Sequence, residues 1–222
     1  MTVAEDWRTV DVVEITHFGH SCVLLDTGSA RLLIDPGTWS EGFEDVTGLD
    51  AVLITHQHVD HLDGARLPAL LRGNPGARLI VDSGSVAELT DHDHEVAAPG
   101  ETLEVAGARV EVLGGDHAVI YPDVPVIPNN AYLVDGAYLH PGDSFTPPST
   151  QVDVLFLPTS APWLKIAEVI DYLRAVVPRT VVPIHQAVLS TPGQQLHYRL
   201  LENLRPHDTT VRVLEPGKAT SL

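Results

Sequence analysis

The chain has 222 residues, 44% hydrophobic and 19% charged, which excludes a disordered polymer and allows a sizeable buried core. A formal charge of −17 opposes general attraction to phosphate backbones, so nucleic acid is not an expected partner. With Cys22 alone there is no intrachain disulfide, and neither a signal peptide nor a run near the ~18 apolar residues of a membrane span is visible. The expected location is therefore the cytoplasm, without membrane contact.

No linker, low-complexity tract or solenoid-period repeat divides the chain, so residues 1–222 are expected to form a single domain. Short β-branched runs separated by glycine, proline and aspartate predict strands at "DVVEI" (11–15), "SCVLLDT" (21–27), "RLLIDP" (31–36), "AVLIT" (51–55) and "RLIVD" (78–82). Between the last two, "GARLPALLRGNPG" predicts a short helix closed by Gly73 and Pro75. The second half repeats the theme with strands at "ARVEVLGG", "NNAYLVDG", "AYLHPGD" and "VDVLFLP". In "PWLKIAEVIDYLRAVVP", Ile166, Val169, Ile170 and Leu173 recur at helical spacing, with Pro162 near the start and Pro178 at the end. "TVVPIH" is a further strand and "PGQQLHYRLLENLRP" the last helix. Strands interrupted by single helices in both halves predict an α/β fold of stacked sheets with helices outside.

The densest chemistry lies in "LITHQHVDHLDG" (53–64), where three histidines and two aspartates follow an apolar run. On extended backbone, residues two apart share a face, so His56 and His58 can point at one ion as the strand ends. Asp60 and His61, further along the turn, can reach a second position. Neutral imidazoles with a carboxylate suit zinc, manganese or iron in a hydrolytic site.

The segment "THQHVDHLDG" resembles the H-x-H-x-D-H signature of the metallo-β-lactamase fold hydrolases. That resemblance implies a four-layer αββα sandwich and three more ligands in chain order. "GGDHAV" supplies His117, "LHPGDSF" supplies Asp143, and "VVPIHQ" supplies His185. Carried over residue by residue, His56, His58 and His117 hold the first metal. Asp60, His61 and His185 hold the second, and Asp143 is shared. The resemblance implies two divalent ions, zinc foremost with manganese or iron as alternatives, about 3.5–4 Å apart and activating a water between them. Asp60 and Asp143 are then the carboxylates beside the reacting centre. No serine or cysteine nucleophile is required, so Ser21, Cys22 and Ser144 read as structural.

"LLIDPG" matches another recurring family element, and Asp35 is expected to orient a ligand rather than bind metal. "FGHSCVLL" resembles the subgroup that includes L-ascorbate-6-phosphate lactonase, and His20 is expected to hold substrate or a carboxylate near the site. The proline-rich "HAVIYPDVPVIPNN" is expected to loop over the site, with Tyr121 and Asn130 as candidate substrate contacts. In "PTSAPWLKI", Trp163 is a candidate pocket wall and Lys165 a candidate phosphate contact. His92 and His94, in "TDHDHE", read as an exposed acidic loop. His140 is expected near the site without being a ligand; His17, His197 and His207 carry no signal.

Together these readings predict a compact hydrolase acting on a small-molecule ester, lactone or phosphorylated substrate. A small phosphodiesterase is the alternative enzyme, although basic residues are scarce near the motifs. A non-catalytic metal-binding or ligand-sensing domain is the alternative from another class, weakened by the completeness of the ligand set. Relatives in the lactonase-like branch often form oligomers, which leaves a homo-oligomer open.

Overall fold

The computed structural model describes residues 13–222. The part of the expected first strand at 11–12 lies outside the described residues. Fourteen strands form two seven-stranded mixed sheets among those residues.

The first sheet contains β1 (Glu14–His17), β2 (Val23–Asp26), β3 (Arg31–Ile34), β4 (Ala51–Ile54), β5 (Arg78–Val81) and β6 (Glu95–Val96). They lie side by side in chain order, and the C-terminal strand β14 (Thr220–Ser221) pairs outside β1. The second sheet runs β7 (Thr102–Val105), β8 (Ala108–Asp116), β9 (Pro128–Val134), β10 (Tyr138–His140), β11 (Val154–Pro158), β12 (Thr180–Ile184) and β13 (Thr210–Val211), again in order.

Period-two alternation explains the layering, because successive side chains leave a strand on opposite faces. Leu32 and Ile34 of β3 pack between the sheets with Leu53, Val110, Tyr132, Phe156 and Val182. Their neighbour Leu33 faces outward with Val52, Ile54 and Leu79, beneath α1 (Leu67–Gly73). On the second sheet, Leu133, Leu155 and Val181 face outward against α2 (Ile166–Val176) and α3 (Thr191–Leu204). The order is therefore helix, sheet, sheet, helices: the expected αββα sandwich.

Both longer helices end where the sequence signals placed them. Val177 takes a left-handed conformation just before Pro178, and Ser190 Oγ accepts the amide of Gly193 at the start of α3. The fold also contains strands with no clear sequence signal. β7 forms a hairpin with β8 through Ala106 and Gly107, both at positive φ, while β6, β13 and β14 are two-residue edge strands.

Strand direction decides where chemistry can assemble. β1, β3 and β4 run one way, since each antiparallel step is followed by another that restores the direction. β8, β10 and β12 likewise run together. The loops at the C-terminal ends of these six strands carry His20, Asp35, His56 to His61, His117, Asp143 and His185.

Candidate metal centre

These loops bring all seven expected ligands together. His56 Nε2 lies 3.0 Å from His58 Nδ1, and the donor atoms of His56, His58 and His117 converge in one group. His61 Nε2 lies 3.2 Å from His185 Nε2, and Asp60 Oδ2 is 3.6 Å from His185 Nε2. Asp143 stands between the groups. Its Oδ1 is 3.1 Å from His61 Nε2 and 3.0 Å from His185 Nε2, while its Oδ2 is 3.3 Å from His117 Nε2.

Local backbone geometry aims the ligands. After β4 the chain turns so that the amides of His61 and Leu62 both donate to His58 O. The Asp35-Pro36-Gly37 turn packs directly against this loop, with Asp63 N donating to Pro36 O at 3.0 Å. A Cβ on Gly37 would lie 1.8 Å from Asp60 O, so this close approach requires glycine. His20, Asp35 and His185 all adopt φ between 48° and 62°, the left-handed region that non-glycine residues rarely occupy. Such strain persists only where surrounding structure enforces it, and here it turns three side chains inward immediately beyond strand ends.

Three of the inward-facing imidazoles are held from behind by oxygen acceptors. Asp35 Oδ2 accepts His61 Nδ1–H at 2.7 Å, and its oxygens also accept Thr55 N at 2.8 Å and Thr55 Oγ1 at 2.7 Å. His185 Nδ1 donates to Ser160 O and His117 Nδ1 to Ala118 O, each at 2.5 Å. These bonds leave the Nε2 lone pairs facing the centre. His20 Nε2 lies 3.0 Å from Asp60 Oδ2, so His20 contacts the carboxylate. Trp163 Nε1–H donates to Asp143 Oδ2 at 2.7 Å, and the half-buried indole also stands 6.2 Å from the His117 ring.

The electrostatics of this cluster suit a cation. Burial drives the His56 imidazolium well below the usual histidine range and also lowers His58, which keeps both rings neutral. Burial penalises ionised Asp60, but the His20 hydrogen bond and the His61 and His185 charges outweigh it and bring the carboxyl to about 2. Asp143 is likewise held well below the carboxylate range, with His185 and His61 overcoming desolvation. His61 moves the other way: burial opposes its charge, yet Asp143 and Asp35 raise it well above the ordinary value. The carboxylates that favour a proton on His61 would favour a metal ion in its place.

The donor set therefore fits divalent metal. His117 Nε2 and Asp143 Oδ1 are buried without a hydrogen-bond partner among the described residues, an expensive arrangement unless something electropositive meets them. Histidine nitrogens and carboxylate oxygens converge in groups around His61 and His185, around His58 and His117, and around His56, His61 and Asp143, which matches the preferences of zinc, manganese and iron.

Residues 14–185 match the family described as beta-lactamase superfamily domain. The chain belongs to the beta-lactamase superfamily. Protein Rv0786c of Mycobacterium tuberculosis is 48% identical over 204 residues, covering 90% of this chain and 96% of the relative. A UPF0173 metal-dependent hydrolase of Aeropyrum pernix is 25% identical over 245 residues, covering 94% and 97%. Igni18, a novel metallo hydrolase from Ignicoccus hospitalis, shares the fold with a TM-score of 0.74 and 23% identity, over 95% of this chain and 98% of that one. This superfamily member is an enzyme among relatives named metal-dependent hydrolases.

Other sequence expectations separate on the structure. The exposed Lys165 ammonium sits 3.8 Å from Glu168 Oε1, and its amide is capped by the same carboxylate at 2.9 Å. Asn130 is buried in β9, with Nδ2 donating to Ala97 O at 2.9 Å. Tyr121 is exposed on the loop that follows His117. His140 is buried beside the site, with Nε2 on Ser21 O and Nδ1 3.9 Å from Asp35. His92 and His94 join no ligand group among the described residues.

Three positioning residues escaped the sequence reading. Asn129 Oδ1 accepts Asp143 N at 2.9 Å while its Nδ2 donates to Pro141 O, which fixes the turn that presents Asp143. Thr55 Oγ1 links Asp35 to His56 Nδ1 at 3.0 Å. Trp39 lies edge-on to His20 at 4.8 Å between ring centroids. Asn129 and Thr55 adjoin motif residues, but their roles depend on backbone contacts that spacing does not encode.

No helix among the described residues is long and apolar enough to cross a membrane.

Proposed function

We propose that the chain hydrolyses a small-molecule ester, lactone or phosphorylated substrate at a dinuclear metal centre. His56, His58 and His117 would hold one divalent ion, Asp60, His61 and His185 the other, and Asp143 would reach both. The observation that carries this reading is the placement of Asp143, one oxygen facing His61 and His185 and the other facing His117. When bound, divalent zinc, manganese or iron would supply hydroxide at neutral pH and polarise the scissile group.

The chain's own residues prepare that chemistry. Burial keeps His56 and His58 neutral, so their lone pairs are free to bind. His20 holds Asp60 ionised and fixes one of its oxygens. Trp163 anchors Asp143 Oδ2 from the opposite side. Water is the fitting nucleophile because Ser21 Oγ lies 3.4 Å from His61 Nε2 among the converging donors, and the other side-chain alternatives are engaged elsewhere. Cys22 is fully buried with its thiol pushed up by desolvation, and Ser144 Oγ donates to Pro141 O at 2.9 Å. The Gly-His-Ser element, through the His20–Asp60 contact, supports a place near the lactonase-like branch.

Metal analysis with a substrate screen tests the proposal. Two divalent ions per chain and turnover of at least one ester, lactone or phosphodiester are expected, with His58→Ala abolishing turnover without unfolding. Full metal content and full activity in that variant, or a single ion per active chain, would overturn it.

A further inference from the structure

The loops that carry the metal-centre residues present exposed apolar side chains, and among the described residues no arginine or lysine bonds any of the seven converging His and Asp side chains. Trp39 is 46% exposed and edge-on to His20; Val59, 63% exposed, sits between His58 and Asp60. Val188, also exposed, follows His185 by three residues. The loop beyond His117 presents Val119 and Tyr121 to solvent, with further exposed valines at 124 and 126. Its base is fixed at the site, because His117 N donates to Ile127 O and Ala118 N donates to Asp143 O. Pro122 and Pro125 restrict the segment between. A single exposed valine is ordinary, but exposed apolar side chains on four ligand-bearing or ligand-contacting loops make a patch suited to an apolar ligand.

The paired cations are engaged elsewhere. Arg66 is the arginine tied to the site loops, yet its guanidinium bonds Asp63, Glu44, Ser40 O and Gly37 O. Arg31, Arg78, Arg109 and Arg179 pair with carboxylates away from the centre, and Lys165 pairs with Glu168. A phosphate dianion is normally clamped by arginine or lysine in addition to metal. Here it would meet an apolar rim on a chain of net charge −17.

From this rim and its missing clamp we infer that the substrate is an uncharged ester or lactone with an apolar acyl portion. The inference rests on the hydrolase reading and narrows its substrate class. Trp39, Val59, Tyr121 and their neighbours seat the hydrocarbon while the carbonyl meets the metal centre. Water adds its oxygen to the acyl carbon, the acyl C–O bond breaks, and the leaving oxygen takes a proton. The products are a carboxylic acid and an alcohol, or one hydroxy acid from a lactone, with no change of oxidation state.

The test compares p-nitrophenyl acetate, butyrate and hexanoate with p-nitrophenyl phosphate and bis(p-nitrophenyl) phosphate on zinc-loaded protein. kcat/KM is expected to rise about two- to fourfold per methylene along the acyl series, as for partial to full burial of each group. Phosphate compounds are expected to run at least about a hundredfold slower than hexanoate, the discrimination lost with a missing polar clamp. Trp39→Ser and Tyr121→Ser should each reduce the hexanoate-to-acetate ratio several-fold. Tryptophan emission provides a second readout on metal-free protein: hexanamide should give a saturable shift that hexyl phosphate does not. A flat acyl series, faster phosphate turnover, or equal binding of the two hexyl probes would overturn the inference. Turnover of phosphate compounds alone would sink this inference and leave the hydrolase reading standing; no turnover of any compound would sink both.

Discussion

His61 lies fully buried with Nδ1 2.7 Å from the Asp35 carboxylate, whereas His117 rests Nδ1 on the Ala118 carbonyl and leaves Nε2 unsatisfied. The same contrast extends through the two donor groups. Asp60, His61 and His185 are braced by His20, Asp35 and Ser160 O. His56 leans on Thr55 and His117 on a backbone carbonyl, while the half-buried His58 meets His56 Nε2 through Nδ1. An anionic brace raises the basicity of the imidazole it holds, while a neutral one mainly orients it. The group around His61 is therefore preorganised by the protein, and the group around His117 depends more on the ion itself. Stepwise chelation should remove the ion of the His117 group first.

The largest way to break this contrast is Asp143→Ala, which removes the carboxylate that stands between the two groups. Since changes behind a ligand already cost about 10–100-fold, loss of the carboxylate proposed to reach both ions should cut kcat/KM by more than about a hundredfold. Metal content should fall at both positions while circular dichroism stays native; retention of both ions would refute the shared role. Asp35→Asn comes next. It keeps the shape of the brace but removes its charge, so affinity at the His61 group should fall about 10–100-fold and the two ions should leave at similar chelator concentrations. Unchanged, well-separated release would show that the Asp35 charge does not set the difference.

Much of the converging His and Asp cluster was legible because metal sites use few residue types at strand ends, and His56 through His61 place four of them in one loop. His117, Asp143 and His185 were legible only in relation to that loop. The braces were less so. Asp35 could be read from its Asp-Pro-Gly turn, but Asn129 acts by accepting the Asp143 amide, a contact across 14 residues that no local pattern marks. The Lys165 pairing was also hidden: its adjacency to Trp163 says nothing of direction, and at the start of α2 its ammonium and amide both meet Glu168. In the fold, long apolar alternations such as β9 and β12 were visible. β7, with Thr102 and Glu104 exposed beside Leu103 and Val105, offers too little apolar pattern, and two-residue edges offer none.

The contrast has a pH signature in metal-free protein. Burial lowers His20 from 6.5 to about 4 against the opposing Asp60 hydrogen bond. A histidine kept neutral in the fold contributes stability above 6.5 that is lost as pH falls toward its folded value. At pH 5 His20 alone should cost about 2 kcal/mol relative to pH 7.5, with His17 and His140, also lowered by burial, acting in the same direction. His61 acts in the opposite direction above 6.5, because its folded value is raised and its contribution grows as pH falls to 6.5; below 6.5 it is complete and no longer offsets the loss. Asp60, held at about 2, stays ionised throughout the window and loses its contribution only below about 3.8. Urea midpoints of chelator-treated protein should fall between pH 6.5 and 5; a constant midpoint there would contradict the burial assigned to these histidines.

Trp163→Phe is the finest probe, because it removes one hydrogen bond and leaves an aromatic ring. The indole N–H donates to Asp143 Oδ2, the same oxygen that faces His117. A partly buried hydrogen bond to a charged acceptor contributes about 1–2 kcal/mol, so the expected loss is about five- to thirtyfold in affinity. It should fall mainly on the less braced His117 group, where no carboxylate stands behind the histidines. The His61 group faces the other oxygen of Asp143 and should change little. Cobalt substitution can separate these outcomes, since each site contributes its own absorption as it fills. Equal weakening of both sites would mean that Trp163 orients the whole Asp143 side chain, and the asymmetry between the groups would then reside in Asp35 and His20 alone.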